Sequence, residues 1–190
     1  MTDTSLAANA VAPAASDLVI RLAQPDEYDE VGALAFAAYA NDYEISEEYG
    51  RTLRDTGSRA DEYEIWVAED VATGELLGTT SILRAAPESR GRARADELYF
   101  RLLAVAPTAR RRGIGARLMA LAFDLARERG LRAVSLNSGE DMLGAHALYR
   151  SLGFERIPER DVVTGDPAHP HLVYTFVRAV DAAAATISSS

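Results

Sequence analysis

The sequence predicts a mixed α+β domain built on one central sheet. Three observations carry this reading. Short apolar runs with strand character recur along the chain, as in Glu64–Glu69 (EIWVAE), Leu76–Leu83 (LLGTTSIL) and Glu97–Val105 (ELYFRLLAV). Helical periodicity separates some of these runs but not others, so the order is neither all-β nor a regular βαβ series. The chain of 190 residues, 48% of them hydrophobic and 26% charged, suits one domain with a real core.

The elements follow in order. The first sixteen residues, MTDTSLAANAVAPAAS, are Ala-rich and aperiodic and read as a disordered lead; residues 181–190 read as a disordered tail. The domain is expected over residues 17–180. Leu18-Val-Ile-Arg-Leu22 alternates as a first strand. Pro25-Asp-Glu opens a helix, with Pro in the first turn and acids matching the helix dipole, and Val31, Leu34, Ala35 and Ala38 share one face. Ser46-Glu-Glu starts a second, polar helix expected to run to about Arg59. Glu64–Glu69 and Leu76–Leu83, joined by a turn at Gly74, form an antiparallel pair. Ala85–Ala95, with Arg90, Arg92 and Arg94, reads as a loop.

Glu97–Val105 is the strongest strand, ended by Pro107. A helix follows from about Gly113, with Ile114, Leu118, Leu121, Ala122 and Leu125 on one face and Gly130 as its stop. Val134–Asn137 is a short strand, and Met142–Ser151 a helix ended by Gly153. Phe154–Pro158 and His171–Arg178 supply the last strands, for six to seven strands and four helices in all.

Composition narrows the function. A net charge of −9 argues against a nucleic-acid partner, which needs clustered positive surface. No run approaches the roughly 20 apolar residues that cross a bilayer, and the lead lacks the basic and apolar regions of a signal peptide. No membrane partner is therefore expected, and the cytoplasm is the expected location. Cysteine is absent, which removes disulfides, thiolate nucleophiles and thiolate metal sites. His169-Pro-His171 has only Asp166 nearby, so no metal is expected. All 20 Lys+Arg positions are Arg, so a lysine acyltransferase of this sequence could not modify its own side chains.

The sharpest local feature is Leu103–Ala116, LAVAPTARRRGIGA. A strand ends, a short loop follows, and Gly113 and Gly115 open an amphipathic helix. The amides of such a helix start carry about half a positive charge and bind phosphate oxygens. Arg110, Arg111 and Arg112 add charge locally, and the whole suits a pyrophosphate. A P-loop requires a lysine that the chain lacks. A dinucleotide turn requires Gly three residues after Gly115, where Leu118 stands.

These residues resemble the GNAT superfamily of acyl-CoA N-acyltransferases. Arg110, Gly113 and Gly115 meet its Arg/Gln-x-x-Gly-x-Gly/Ala pattern. Leu103-x-Val105-x-Pro107 matches the end of its fourth strand, and Ala145-x-x-Leu148-Tyr149-x-x-x-Gly153-Phe154 its second signature. The resemblance implies a mostly antiparallel sheet splayed near its fourth and fifth strands. It implies acetyl-CoA as co-substrate, without metal, and an amine-bearing acceptor attacked directly in a ternary complex. The backbone of Leu103, Ala104 and Val105 would meet the pantetheine arm, and the amides from Arg110 through Arg111, Arg112, Gly113, Ile114 and Gly115 to Ala116 the pyrophosphate. Asn137 would be a further cofactor contact. The Leu103 amide would stabilise the developing oxyanion, and Tyr149 would protonate the departing thiolate.

Two positions depart from the pattern. Where many members carry a strand Glu as base, this chain has Tyr99; Glu97, two positions earlier, is the substitute candidate, acting through water. Met142 stands where an Asn is common. A catalytically silent acyl-CoA-binding module therefore remains the alternative, and a homodimer stays open. The acidic run Asp42, Glu44, Glu47, Glu48, Asp55, Asp61, Glu62 and Glu64 is either an attractor for a cationic amine or a solvated helix face.

Overall fold

The structure is a computed structural model that describes residues 18–84, 93–164 and 170–180. The expected lead and tail, Arg90 and Arg92, and the Asp166 and His169 positions lie outside the described residues. The order is β1 (Leu18–Leu22), α1 (Tyr28–Ala40), α2 (Glu47–Arg54), α3 (Thr56–Ala60), β2 (Tyr63–Asp70), β3 (Leu76–Leu83), β4 (Glu97–Val105), α4 (Ile114–Glu128), β5 (Ala133–Gly139), α5 (Leu143–Ser151), β6 (Glu155–Arg156), β7 (Val162–Thr164) and β8 (His171–Ala179), with short 3-10 turns between some of them. The eight strands form one sheet in the order β1-β2-β3-β4-β5-β8-β6, with β7 also on β8. Every pairing is antiparallel except β4 with β5. A parallel pair needs a crossover, and α4 supplies it.

α4 and α5 cover one face of the sheet. The stripe predicted on α4 is present and wider than read: Ile114, Leu118, Met119, Ala122, Phe123 and Ala126 are buried, while Leu121 and Leu125 sit half-buried at its margin. Met119, Ala122, Phe123 and Ala126 pack on Leu98, Phe100, Val134, Leu136 and Phe176, and Ile114 and Leu118 on Leu18, Ala68 and Leu77. The other face of β2, β3 and β4 is covered by α1 and α3, with α2 packed on α1. At Gly32 a Cβ would lie 2.3 Å from the Arg54 carbonyl oxygen, so α1 and the end of α2 touch backbone to backbone.

Three differences from the expected elements have local causes. The polar helix is two helices, broken at Asp55 (ψ 71), whose carboxylate accepts the Ser58 amide at 3.1 Å and caps α3. An aspartate that can satisfy a helix start competes with the helix interior. The expected strand Phe154–Pro158 shrinks to Glu155–Arg156, because Pro158 begins a 3-10 turn. The chain then returns to β8 through β7, a three-residue strand too short to show alternation.

Candidate functional site

β4 and β5 pair from Glu97–Ala133 to Phe100–Leu136, and then the pairing stops. Beyond that point β4 continues five residues and β5 three, as the two walls of an open gap. The cause is a bulge in β4. Against β3, Ser81 pairs with Arg101 and Thr79 with Ala104, so Leu102 and Leu103 together oppose Thr80. Leu102 takes φ 55, a left-handed value uncommon for leucine. The Thr80 hydroxyl donates to the Arg101 carbonyl at 3.3 Å, replacing a lost ladder bond.

The bulge changes the phase of the strand. Before it, Leu98 and Phe100 face α4; after it, Leu103 and Val105 do, while Ala104 packs on Ala35 and Ala38 of α1. It leaves Tyr99 and Arg101 on the α1 face. The Ala106 amide donates to the Leu77 carbonyl at 2.9 Å, on the β3 side. By strand alternation the Ala104 amide points the same way, and those of Leu103 and Val105 point into the gap.

The loop after β4 is shaped to collect amides. Arg111 has φ 61 and Gly113, which caps α4, has φ 75. Left-handed residues alternating with extended or helical ones turn successive N–H groups toward one concavity. Nothing lies within 4 Å of a Cβ built on Gly113, so glycine is needed there for its φ. At Gly115 a Cβ would meet Leu148 at 3.7 Å and Val105 at 3.8 Å. Gly115 thus leaves a slot between the mouth of β4 and α5, of the kind a close-lying ligand arm would fill.

The arginines of this loop behave differently from expectation. The Arg110 guanidinium is bound by both Asp42 oxygens at 2.8 Å and by the Ala38 carbonyl at 3.2 Å, tying the loop to the end of α1. Arg112 reaches Asp70 at 3.5 Å. Of these three arginines, Arg111 alone is exposed with no such partner among the described residues. Much of the added charge is already balanced, and the backbone remains the natural anion holder. Ile114 contributes only its amide, since its side chain is core, whereas Ala116 is exposed.

Tyr149 is 7% exposed, its ring against Phe154 at 6.1 Å and Phe176 at 5.5 Å. Burial, reinforced by Tyr43 and Tyr49, pushes its phenol well above the ordinary value. Those two neighbours come from the α1–α2 side, whereas the ring itself packs on Phe154 and Phe176. Tyr39 stacks near Tyr43 at 6.2 Å and Tyr49 at 6.0 Å, completing an aromatic cluster over the gap.

Asn137 is the first β5 residue past the last pair. Its Nδ2 donates to Thr175 Oγ1 at 2.9 Å, and its buried Oδ1 has no partner. The orientation of the amide follows from Thr175, whose single proton goes to the Arg160 carbonyl at 2.6 Å and which can therefore only accept from Asn137.

Glu97 lies at the other end of β4 from the gap. Both its oxygens are bound by Arg160 at 2.7 Å, and it also accepts the Arg94 amide at 3.2 Å. Burial, the largest single influence, raises its carboxyl, but the Arg160 hydrogen bonds, the Arg94 amide and the Arg160 charge together hold it below the usual range. A carboxylate so engaged is a poor proton acceptor, and the geometry disfavours Glu97 as the base. Its position facing Ala133, inside the zipped part of the sheet, was invisible before the pairing limit was known.

Other expected features resolve locally. Met142 precedes α5 and gives it no side-chain cap; its sulfur accepts a weak hydrogen bond from Ser138 Oγ at 3.5 Å. His146 is 1% exposed, packed on Tyr174 and Phe176. In the acidic run, Asp42 is held by Arg110, and Glu64 by Arg129 at 2.7 Å on the α4 face. The residues that reasoning from sequence missed are Arg59, Arg101 and the tyrosines of α1 and α2. Their only signal was a cluster of aromatics and arginines in segments without motif.

Comparison with known proteins is consistent with this geometry. The model of the Acetyltransferase (GNAT) family matches residues 26–154. No curated protein matches the chain in sequence. Among solved structures, an acetyltransferase of the GNAT family from Staphylococcus aureus Mu50 is similar at 15% identity and TM-score 0.65, covering 86% of this chain and 99% of that one. The ribosomal-protein-S18-alanine N-acetyltransferase from Escherichia coli is similar at 17% identity and TM-score 0.61, covering 90% and 99%. The structure of yncA, a putative acetyltransferase from Salmonella typhimurium with its cofactor acetyl-CoA, is similar at 18% identity and TM-score 0.60, covering 90% and 99%. Among the described residues no helix is long and apolar enough to cross a membrane.

Proposed function

Because this chain belongs to the GNAT acetyltransferase family, we propose that it moves an acetyl group from acetyl-CoA to a primary amine by direct attack within a ternary complex. The observation that carries the reading is the gap past Phe100–Leu136, where β4 runs on unpaired with β5 through Leu103 and Val105. Strand alternation supports amides of both turned into it, and the buried Tyr149 is the acid candidate beside it. Acetyl-CoA supplies the activated acyl group. This chain supplies position and charge.

The amides of Leu103 and Val105, with the backbone of Ala104, line the wall where a pantetheine arm extends the sheet. The loop amides from Arg110 to Ala116 receive the pyrophosphate, and the open slot at Gly115 fits such an arm. The Leu103 N–H stabilises negative charge developing on the acyl oxygen; loss of one such donor costs about 3–4 kcal/mol in other enzymes. An N–C bond forms as the C–S bond breaks, the amine proton leaves to water, and Tyr149 returns a proton to sulfur.

Proton transfer from a phenol of pKa about 10 to a thiolate of about 8.5 is uphill by roughly 2 kcal/mol in water. Burial raises Tyr149 further, but the same burial raises a thiolate beside it, so the difference stays modest. With Glu97 engaged, water is the proton acceptor. That suits an acceptor of low basicity: neutralising an α-amine near pKa 8 costs about 1 kcal/mol at pH 7, against about 5 for a lysine-type amine.

The silent-module reading shares the CoA site but not turnover. Calorimetric CoA binding is expected under both. Amine-dependent thiol release from acetyl-CoA is expected only under the first, and its absence across a broad amine panel would remove the transferase reading.

A further inference from the structure

The wall of the gap opposite α4 carries positive charge that no carboxylate among the described residues pairs. Arg101 is the first β4 residue past the last pair with β5, and it faces the α1–α3 layer. It is half-buried, and among the described residues its guanidinium has neither a hydrogen bond nor an ion pair. Its surroundings are the Tyr63 ring, 6.0 Å away, and the hydroxyls of Tyr39 and Tyr49.

Arg59 of α3 arrives at the same place from the helix layer. Its Nε donates to Ser81 Oγ at 3.1 Å, and Ser81 is the cross-strand partner of Arg101. Its other donors go to neutral oxygens: the Thr52 and Asp55 carbonyls at 3.0 and 3.1 Å and Thr56 Oγ1 at 3.0 Å. Nearby carboxylates are committed elsewhere. Asp55 is the acid closest in effect on Arg59, and its exposed side chain caps α3. Asp42 is held by Arg110, Glu64 by Arg129 and Glu97 by Arg160.

Two adjacent cations withdrawn from water repel each other and lose hydration unless an anion joins them. A second observation lies across the gap, where Asn137 presents a buried, fixed oxygen acceptor with nothing to accept. An amine N–H is the donor it lacks. Arg101 and Leu103 are separated by at most about 7 Å of strand, so both groups fall within one small molecule.

From these observations we infer that the acceptor is a small amino-acid-like molecule whose carboxylate is held by Arg101 and Arg59 and whose amine is directed to the gap by Asn137 Oδ1. The inference rests on the transferase reading for its chemistry, though not for its binding. A guanidinium fork matches the planar carboxylate. The acidic run read as an attractor for a cationic amine does not line this wall; the arginines do, in a chain whose net charge is −9.

The test uses the full chain with acetyl-CoA and reads thiol release. α-Amino acids are compared with their methyl esters and with the decarboxylated amines of the same side chains. For the best acceptor the free acid is expected to exceed its ester at least tenfold in kcat/KM, mostly through KM. Arg101→Gln should bring that ratio toward one, and Arg101→Lys should keep part of it. Esters or decarboxylated amines that react as well as the acids overturn the inference, as does a ratio unchanged in Arg101→Gln.

A binding arm is independent of turnover. N-Acetylalanine titrated into CoA-saturated protein should bind at least tenfold more tightly than its methyl ester, with the difference lost in Arg101→Gln; equal binding overturns the site. Retained preference in a protein that releases thiol with no amine supports the site and counts against the transferase reading alone. Matching melting curves establish that the variants are folded.

Discussion

The two halves of β4 make the same strand do opposite work. From Glu97 to Phe100 it is zipped to β5, and its one carboxylate is locked by Arg160. From Arg101 to Val105 it is unzipped from β5 and bulged at Leu102, with a guanidinium that has no carboxylate partner among the described residues. The first half is closed in hydrogen bonds and in charge, and the second is open in both. Open valences of this sort are costly unless a ligand closes them, so the point where pairing stops divides scaffold from site.

The comparison breaks most readily at Glu97. Glu97→Gln takes the buried carboxylate away from Arg160, so unfolding measurements should show a loss of about 3 kcal/mol. Turnover per folded molecule should change little. A stable but inactive Glu97→Gln would return the base to Glu97. The pH dependence has a definite sign. Burial raises this carboxyl and Arg160 lowers it, with a net depression in the fold. Its stabilisation is thus complete above the ordinary value of about 4.3 and lost as pH falls through the lower folded value. The wild type should lose stability on acidification more steeply than Glu97→Gln.

Tyr149→Phe tests the open half. It should lower kcat about a hundredfold, some 2.7 kcal/mol, with CoA affinity retained by calorimetry. Since the phenol is held above its ordinary value of about 10, no alkaline fall in kcat from its ionisation should appear below that pH. Full turnover in Tyr149→Phe would remove the acid role.

Gly113→Ala is a smaller change. The space around its Cβ is empty, so the expected effect comes from φ 75 alone. A left-handed alanine costs about 1–2 kcal/mol, and calorimetry should find CoA binding weakened by up to about tenfold. Asp42→Asn should do least. The pair with Arg110 is over a third exposed on both sides, so solvent screening leaves well under 1 kcal/mol. CoA affinity should fall two- to threefold at low salt (about 0.5 kcal/mol), and the difference should shrink at high salt.

What the sequence disclosed divides along the same line. Glu97–Val105, the loop to Gly115 and α4 were legible because local residues dictate them: an apolar run, a proline stop, glycines at a helix start. The two anchors of the arginine run were not legible. Asp42 and Asp70 lie 68 and 42 residues from Arg110 and Arg112, and only the folded chain brings them together. Arg101 and Arg59 were hidden for a similar reason, since their proximity depends on the register of Ser81 with Arg101 and on the break of the polar helix at Asp55. The engagement of Glu97 by Arg160 was not legible either, because strand alternation tells which face a residue occupies but not how far along the ladder a neighbouring strand accompanies it.

The bulge at Leu102 also fixes what kind of change this strand can absorb. Side chains may be exchanged on either side of it with local consequences. Length cannot be exchanged, because removing one residue between Arg101 and Ala104 would erase the bulge and the left-handed Leu102, leaving a regular strand free to go on pairing with β5 and close the gap. In this segment the spacing of residues is under tighter physical constraint than their identity. Variation in the acceptor a related chain prefers is therefore expected to enter by substitution at positions such as 59 and 101, and not by insertion or deletion in the strand.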